Sequence, residues 1–408
     1  MSSDIAHAPE TGEQRLVSPP PALLTLVLLA AVSPLAINLF VPSMPSIAAD
    51  LEAPYATVQL GLSLYLVMVA VLQLVIGPLS DLFGRRPVIY GGLVLFLVGT
   101  TMCVLAQSAG MFLAGRIVQA ASASGMVLSR AIVRDVYPRE KAASAMGYMV
   151  MGMAVAPMVG PAIGGLIDQL AGWRMSFVAL GIFGAIALGA TVFTLPETNR
   201  FRGAPIREQV ASYRKLAGMP IFWIYACSMG FASAAFFGFL GGGPAVSNIY
   251  LGLSSLEYGL YFAFTALGYS LGNFATGRFS ERRGLDRMML DGVFISLAGP
   301  LAAIALFATG IEHAAAFFLP MMLVGFGNGL TLPTASAAAI GLKPDSAGAA
   351  SGLLGATQIG IGACASIVAG FVSGSEGLPI PLCMFLAACS FVAVGFTLTA
   401  VRMGRSSS

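Results

Sequence analysis

The chain has 408 residues, of which 57% are hydrophobic and only 10% charged, with a formal net charge of +3 and a mean hydropathy of +0.86. Soluble globular domains carry roughly 25% charged residues, so this composition excludes a water-soluble enzyme and fits a chain whose outer surface meets lipid. The small net charge gives no argument for nucleic acid. Two histidines (His7 and His313) and five scattered cysteines without a CxxC pair offer neither a metal site nor a disulfide framework, so no metal or cofactor is expected.

Residues 1–20 are polar and end in a proline run, which reads as a disordered cytoplasmic tail with no cleavable signal peptide. A membrane-crossing helix needs roughly 20 mostly apolar residues. On that basis spans are expected near 22–46, 57–79, 87–106, 111–132, 143–166 and 174–195. After a polar stretch, six more are expected near 221–249, 257–277, 288–309, 314–338, 347–372 and 379–401. The expected organisation is an N-terminal six-helix bundle over 21–198, a cytoplasmic linker over 199–219, a C-terminal bundle over 220–402 and a tail over 403–408. With the N-terminus inside, 19 of the 21 Lys and Arg fall in or beside cytoplasmic segments. Only Arg174, in an external connection, and Arg116, within span 4, do not. Positive charge marks the cytoplasmic side of a membrane protein, so both termini are expected inside.

The halves echo each other. Gly77, Ser80, Asp81 and Gly84 follow span 2, and Gly277, Ser280, Glu281 and Gly284 follow span 8 at an offset of 200 residues. Repeats of six helices in one orientation imply two bundles around a central cavity.

Four stretches carry possible chemistry. After span 2 the chain reads Gly77-Pro-Leu-Ser-Asp-Leu-Phe-Gly-Arg-Arg-Pro87. Its glycines permit tight turns, and Asp81 can cluster with Arg85 and Arg86; the same residues would also serve as a plain positive anchor. In span 4, Arg116 lies about one and a half turns inside the external end. A charge at that depth is costly and marks a functional candidate, unless the side chain snorkels to the interface. Gln119, three residues on, shares its face, and Ser122 extends that face. Span 5 carries Ala156, Gly160 and Gly164 every four residues, with Pro161 and Gly165 beside them. Such a smooth, kinked face suits close helix approach, a pattern that generic small-residue packing also produces, and Gly268 and Gly272 of span 8 offer it a partner surface. The second half contributes the intramembrane amides Asn273, Asn328 and Gln358 and the aromatics Phe236, Phe237, Phe239, Tyr258, Tyr261, Phe262, Phe264 and Tyr269. Part of that set is expected to line the cavity and the rest to face lipid or neighbouring helices.

The loop of residues 77–87 resembles the signature loop of the major facilitator superfamily. Together with Pro42-Ser-Met-Pro45, Gly115 to Asp135, Leu195-Pro-Glu-Thr198 and Ala349 to Leu354, it makes the chain similar to the twelve-helix drug:proton antiporters. The likeness is greatest to the bicyclomycin and chloramphenicol resistance group. The resemblance covers nearly the whole chain, more strongly in the first half, and implies an exporter of small amphiphilic compounds. It further implies drive by protons, a site in a bacterial inner membrane and a monomer as the working unit. It makes Gly77, Asp81, Gly84, Arg85, Arg86 and Asp135 a latch between the halves, with Asp81 facing the start of span 11 near Gly348 to Ser351. It makes Ala156, Gly160, Pro161, Gly164 and Gly165 the antiporter motif, with alanine at one expected glycine. Arg116 and Gln119, with Asn38, Ser122 and Gln358, become the substrate or coupling set. One departure bears on mechanism: where the group often has an aspartate in span 1, this chain has Asn38, and no carboxylate lies in the middle of any span. A metabolite facilitator or importer without proton coupling therefore stays open as the alternative.

Overall fold

The structure is a computed structural model and describes residues 22–137, 139–199, 206–343, 346–373 and 377–406. Among these no β-strand occurs. In a solvent that cannot hydrogen-bond the backbone, the helix satisfies every backbone group internally.

The helices follow the hydropathy. Helix 1 is Leu23–Asp50, helix 2 Tyr55–Phe83 and helix 3 Arg85–Val104. Helix 4 runs from Ala109–Gln119 through a 3-10 turn to Ala123–Val136; helix 5 is Arg139–Ala171 and helix 6 Trp173–Thr194. The second half holds helix 7 (Pro220–Ala245, extended by a π turn to Tyr250), helix 8 (Ser255–Arg283) and helix 9 (Leu285–Ala308). Helix 10 (Ala314–Gly341), helix 11 (Ala347–Ser373) and helix 12 (Pro379–Ser406) follow. Ten of the helices are long and apolar enough to cross a membrane, and helix 5 adds a shorter apolar stretch, Val155–Ala171. Helix 8 packs on helices 5 and 10 and turns Leu260, Leu267, Leu271 and Phe274 outward.

Local chemistry sets the boundaries. Pro42 and Pro45 break helix 1 into Leu23–Asn38, a 3-10 turn at Val41–Ser43, and Met44–Asp50, because each removes a backbone donor. Gly84 and Gly284 end helices 2 and 8 at φ of 103° and 78°, a region that side chains with a Cβ rarely enter. Their amides close on Ser80 and Ser280 at 3.0 and 2.9 Å, so the sequence echo is a geometric one. Ser254 and Glu257 form a reciprocal cap at the start of helix 8.

Within the first half, helices 1 and 5, 2 and 4, 3 and 4, and 3 and 6 pack together. Adding six gives the pairs 7 and 11, 8 and 10, 9 and 10, and 9 and 12, which together with 7 and 12 are the main contacts of the second half. The halves meet along two seams, helix 5 on helix 8 and helix 2 on helix 11, which exchange under the same offset. Two related bundles account for all of this. Large apolar side chains such as Phe193, Leu170 and Phe274 stand almost fully exposed on the outside, a surface suited to hydrocarbon and not to water.

The stretch expected to be a plain polar connection contains a further helix, Ile206–Ala217. Leu216 is fully buried against Phe222 and its neighbours, which holds this helix on the second half.

Candidate functional site

Arg85, Arg86 and Arg130 mark one end of the molecule, the basic end. There a cavity of about 480 Å³ separates the halves. One wall comes from Gln73, Asp81, Arg85, Met126, Val127, Arg130 and Met146; the other comes from Ile340, Ser346, Gly348, Ala349, Ser351 and Gly352. Asp81 and the start of helix 11 thus line the same cavity. Tyr213 of the additional helix stands in the same cavity, its hydroxyl 3.3 Å from where a Cβ on Gly352 would lie. Burial, and then the negative charge of Asp81, push the Tyr213 phenol above its ordinary pKa.

Asp81, Arg85 and Asp135 come together as the sequence suggests. Arg85 pairs with Asp81 at 2.5 Å and with Asp135 at 3.2 Å, and it also donates to the Ser80 hydroxyl. Arg86 lies outside this cluster: its Nε donates to the Tyr90 hydroxyl at 2.5 Å and one Nη to the Val192 carbonyl at 3.1 Å. Gly77 has open space around it.

Sequence reasoning missed two members. Glu197 accepts the backbone N–H groups of Arg85 at 3.0 Å and Arg86 at 3.3 Å, a carboxylate placed on the positive end of helix 3. Asn199 donates to the carbonyls of Ser80 at 3.2 Å and Asp81 at 3.0 Å, closing the end of helix 2. For Glu197 the signal was the Leu195-Pro-Glu-Thr198 stretch, noticed as a likeness but given no role; Asn199 lies just beyond it.

Arg116 does not snorkel; it is fully buried. Its Nε donates to the Gly61 carbonyl and one Nη to the Ala36 carbonyl, both at 3.1 Å, and that same Nη donates to the Gln119 side-chain oxygen. The guanidinium carbon lies 4.0 Å from the ring centre of Phe40 and 4.5 Å from that of Tyr65. Gln119 passes a hydrogen bond to Thr100 at 2.9 Å, and the Tyr65 hydroxyl joins Ser122 at 2.7 Å and Ser33 at 2.9 Å. Among the described residues no carboxylate pairs with Arg116, and its second Nη has no hydrogen-bond partner. A buried cation without a counter-ion is held here by carbonyl dipoles and aromatic faces, and in the process it ties helix 4 to helices 1 and 2.

Two members of the expected set lie apart from this network. The Asn38 amide donates to the Pro34 carbonyl at 2.8 Å, and its buried Oδ1 has no partner among the described residues. Gln358 is in the other half, where it donates to Ser233 at 2.9 Å.

The small face of helix 5 serves two neighbours. A Cβ on Gly164 would strike the Leu39 carbonyl of helix 1, and one on Gly160 would lie 3.2 Å from the Asn38 Cβ. Gly165 meets Ser255 and Leu256 of helix 8, while the Pro161 carbonyl presses on Gly259; Ala156 is buried. The expected partners on helix 8 are corrected by these contacts. Gly268 and Gly272 pack on Met322 and Phe326 of helix 10, since they lie on a different face of helix 8 from Gly259. The second-half aromatics are corrected too. Phe239 stacks on Phe262 at 5.7 Å and packs on Phe317 and Phe318, with Tyr258 and Tyr261 against the same group. They fill a core, and none lines the cavity at the basic end.

Comparison with known proteins fits this arrangement. The model of the Major Facilitator Superfamily matches residues 26–367. The chain is 32% identical to multidrug resistance protein D of Escherichia coli (strain K12), over 87% of this chain and 90% of that one. It is 33% identical to a chloramphenicol resistance protein of Pseudomonas aeruginosa, over 72% and 70%. Among solved structures, a bacterial homologue of the human lysosomal transporter Spinster, described as inward-facing and unoccupied, superposes with a TM-score of 0.72. That match covers 93% of this chain and 96% of the other at 19% identity, a likeness of fold. A multi-pass helical membrane protein of two six-helix bundles with a cavity between them, this chain belongs to the major facilitator superfamily, in the drug-resistance group of its relatives, and is a transporter of small molecules rather than an enzyme.

Proposed function

We propose that the protein exports small amphiphilic compounds, drugs among them, from a bacterial cytoplasm by alternating access, driven by inward proton movement. The observation that carries this reading is the cavity at the basic end. It measures about 480 Å³, within the range of small-molecule sites. Its lining mixes Met126, Val127 and Met146 with Gln73, Asp81, Arg85 and Arg130, a surface for a solute with an apolar body and a polar group. The basic end is cytoplasmic in this reading, with both termini on that side, and the chain divides into bundles at the 199–219 linker. Asp81, Arg85 and Asp135, with Gly77, Gly84 and Arg86, form the latch that closes this end when the cavity opens outward. The helix 5 motif forms the sliding seam on helices 1 and 8. Arg116, Gln119 and Ser122 form the polar centre through which substrate or proton acts on the first half, with Asn38 and Gln358 as polar groups beside the path.

Reconstituted protein under an imposed proton gradient tests the proposal, with chloramphenicol-type and bicyclomycin-type solutes followed in wild type and Arg116→Lys. The variant keeps the charge but has no planar fork for two carbonyls. Gradient-driven export that falls at least tenfold in the variant supports the reading; no solute movement across a broad panel defeats it. One observation favours a second reading. Asn38 carries no proton, and its Oδ1 is buried without a partner among the described residues, so a facilitator that moves solute regardless of the gradient is the alternative outcome of the same assay.

A further inference from the structure

At the end opposite the basic loops the halves are in contact, and the contact is a set of directed hydrogen bonds. Gln59 of helix 2 is 1% exposed. Its amide nitrogen donates across the seam to the Ser366 carbonyl at 2.6 Å and lies 2.7 Å from the Ser366 hydroxyl of helix 11; within its own helix it lies 3.0 Å from the Ser63 hydroxyl. Two glycines make the room. A Cβ on Gly370 would come within 2.6 Å of the Gln59 oxygen, and one on Gly241 within 2.9 Å of its nitrogen. One turn away, the Tyr55 hydroxyl donates to the Gly241 carbonyl of helix 7 at 2.7 Å. In the other seam, Asp168 of helix 5 accepts the hydroxyls of Ser46 in helix 1 at 2.8 Å and Ser255 in helix 8 at 2.6 Å. In each crossing a first-half side chain reaches a second-half group.

We propose that Gln59 is a positioning residue for transport, the hydrogen-bonded bolt that holds the non-basic side shut while the cavity faces the basic end. A primary amide suits the task better than either alternative. Closed, it must be satisfied, because a buried unpaired amide is costly; only one register of helix 2 on helix 11 satisfies it. Open, water replaces its partners, so the net cost of breaking it is modest. A buried ion pair would demand far more to separate, and an apolar contact would close without fixing the register. This inference uses the alternating-access part of the reading above and is independent of what is carried and of protons.

Hydrogen–deuterium exchange on the full chain in lipid nanodiscs, with no solute, tests it. Gln59→Met keeps the volume and removes the donor. Exchange over residues 55–66 and 359–373 is expected to rise about tenfold, while exchange at the basic end, over 77–85 and 346–352, falls. Gly370→Ala, which wedges the same seam, should do likewise, and Ser366→Ala should act in the same direction but less, since the carbonyl remains. A merely structural role predicts faster exchange at both ends, and that result overturns the proposal, as does no change at either. If Gln59→Met does not fold, Gly370→Ala and Ser366→Ala decide by the same criterion. A reciprocal response to Gly370→Ala with none to Gln59→Met removes the bolt and leaves alternating access standing. No reciprocal response in any folded variant removes both.

Discussion

The two halves share one helix arrangement and both bury aromatic rings, but among the described residues only the first half sets a buried cation against such rings. Where helices 1, 2 and 4 converge, the first half buries two hydrogen-bonded sets, Arg116–Gln119–Thr100 and Ser33–Tyr65–Ser122, joined where the Arg116 guanidinium lies over the Tyr65 ring. Where helices 7, 8 and 10 converge, the second half buries Phe239, Phe262, Phe317 and Phe318 as stacked and tilted rings. Duplication explains the scaffold, and divergence explains the cores. A ring cluster holds its place through packing alone, whereas a polar network in low dielectric is stable in one arrangement and costly in every other. On the function proposed above, the first half is the one that responds to a change of charge or ligand and the second the one that stays fixed.

Removing the centre of each core tests that contrast most severely. Arg116→Ala leaves the Ala36 and Gly61 carbonyls and Gln119 without their donor and empties a fully buried volume. A loss of about 3 kcal/mol is expected from the cavity and the unpaired acceptors, read as a drop in melting temperature in detergent, together with loss of transport. Phe262→Ala is expected to cost about 3 kcal/mol through the cavity it opens, yet transport per folded molecule should stay within about twofold. If transport falls as far for Phe262→Ala as for Arg116→Ala, the second-half core is not the passive one and the contrast fails.

Parts of this were legible in the chain and parts were not, for a physical reason. Helix number, the basic face and the 200-residue echo depend on local composition, and local composition is what one sequence displays. The Asp81–Arg85 pair could be anticipated because the two lie four residues apart around the Gly84 turn, whereas Asp135 was suggested by the family resemblance and not by spacing. Burial of Arg116 was less accessible: depth in the bilayer admitted snorkelling, and only the carbonyls of Ala36 and Gly61 decide against it. Gln59 and Ser366 are 307 positions apart, and nothing in either neighbourhood announces the other. Gly268 and Gly259 both satisfy a small-residue rule, and which of them meets helix 5 depends on how helix 8 is rotated.

Smaller changes sharpen the comparison at the basic end. Glu197→Gln keeps the size of the cap on helix 3 and removes its charge, so about 1 kcal/mol of stability should be lost. Because Glu197 holds the Arg85 and Arg86 amides, tryptic cleavage at these arginines should rise in parallel. Stability lost without that local loosening would mean the carboxylate acts elsewhere than on the helix start.

Tyr213 should give the smallest effect. Burial and Asp81 raise its pKa from the ordinary 10.0, so the phenol stays neutral beside the carboxylate. The sign follows from the raised value: its contribution is complete below the unfolded-state pKa of about 10 and is lost only as pH rises through the higher folded-state value. Between pH 6 and 9 nothing at this position titrates. Tyr213→Phe should therefore change stability by less than about 0.5 kcal/mol and leave the shape of the transport–pH profile as it is in wild type. A profile that moves with this substitution would put a titrating phenol in the wall of the cavity and would make the helix of residues 206–217 part of the responsive half of the machine, instead of a strap holding to the fixed one.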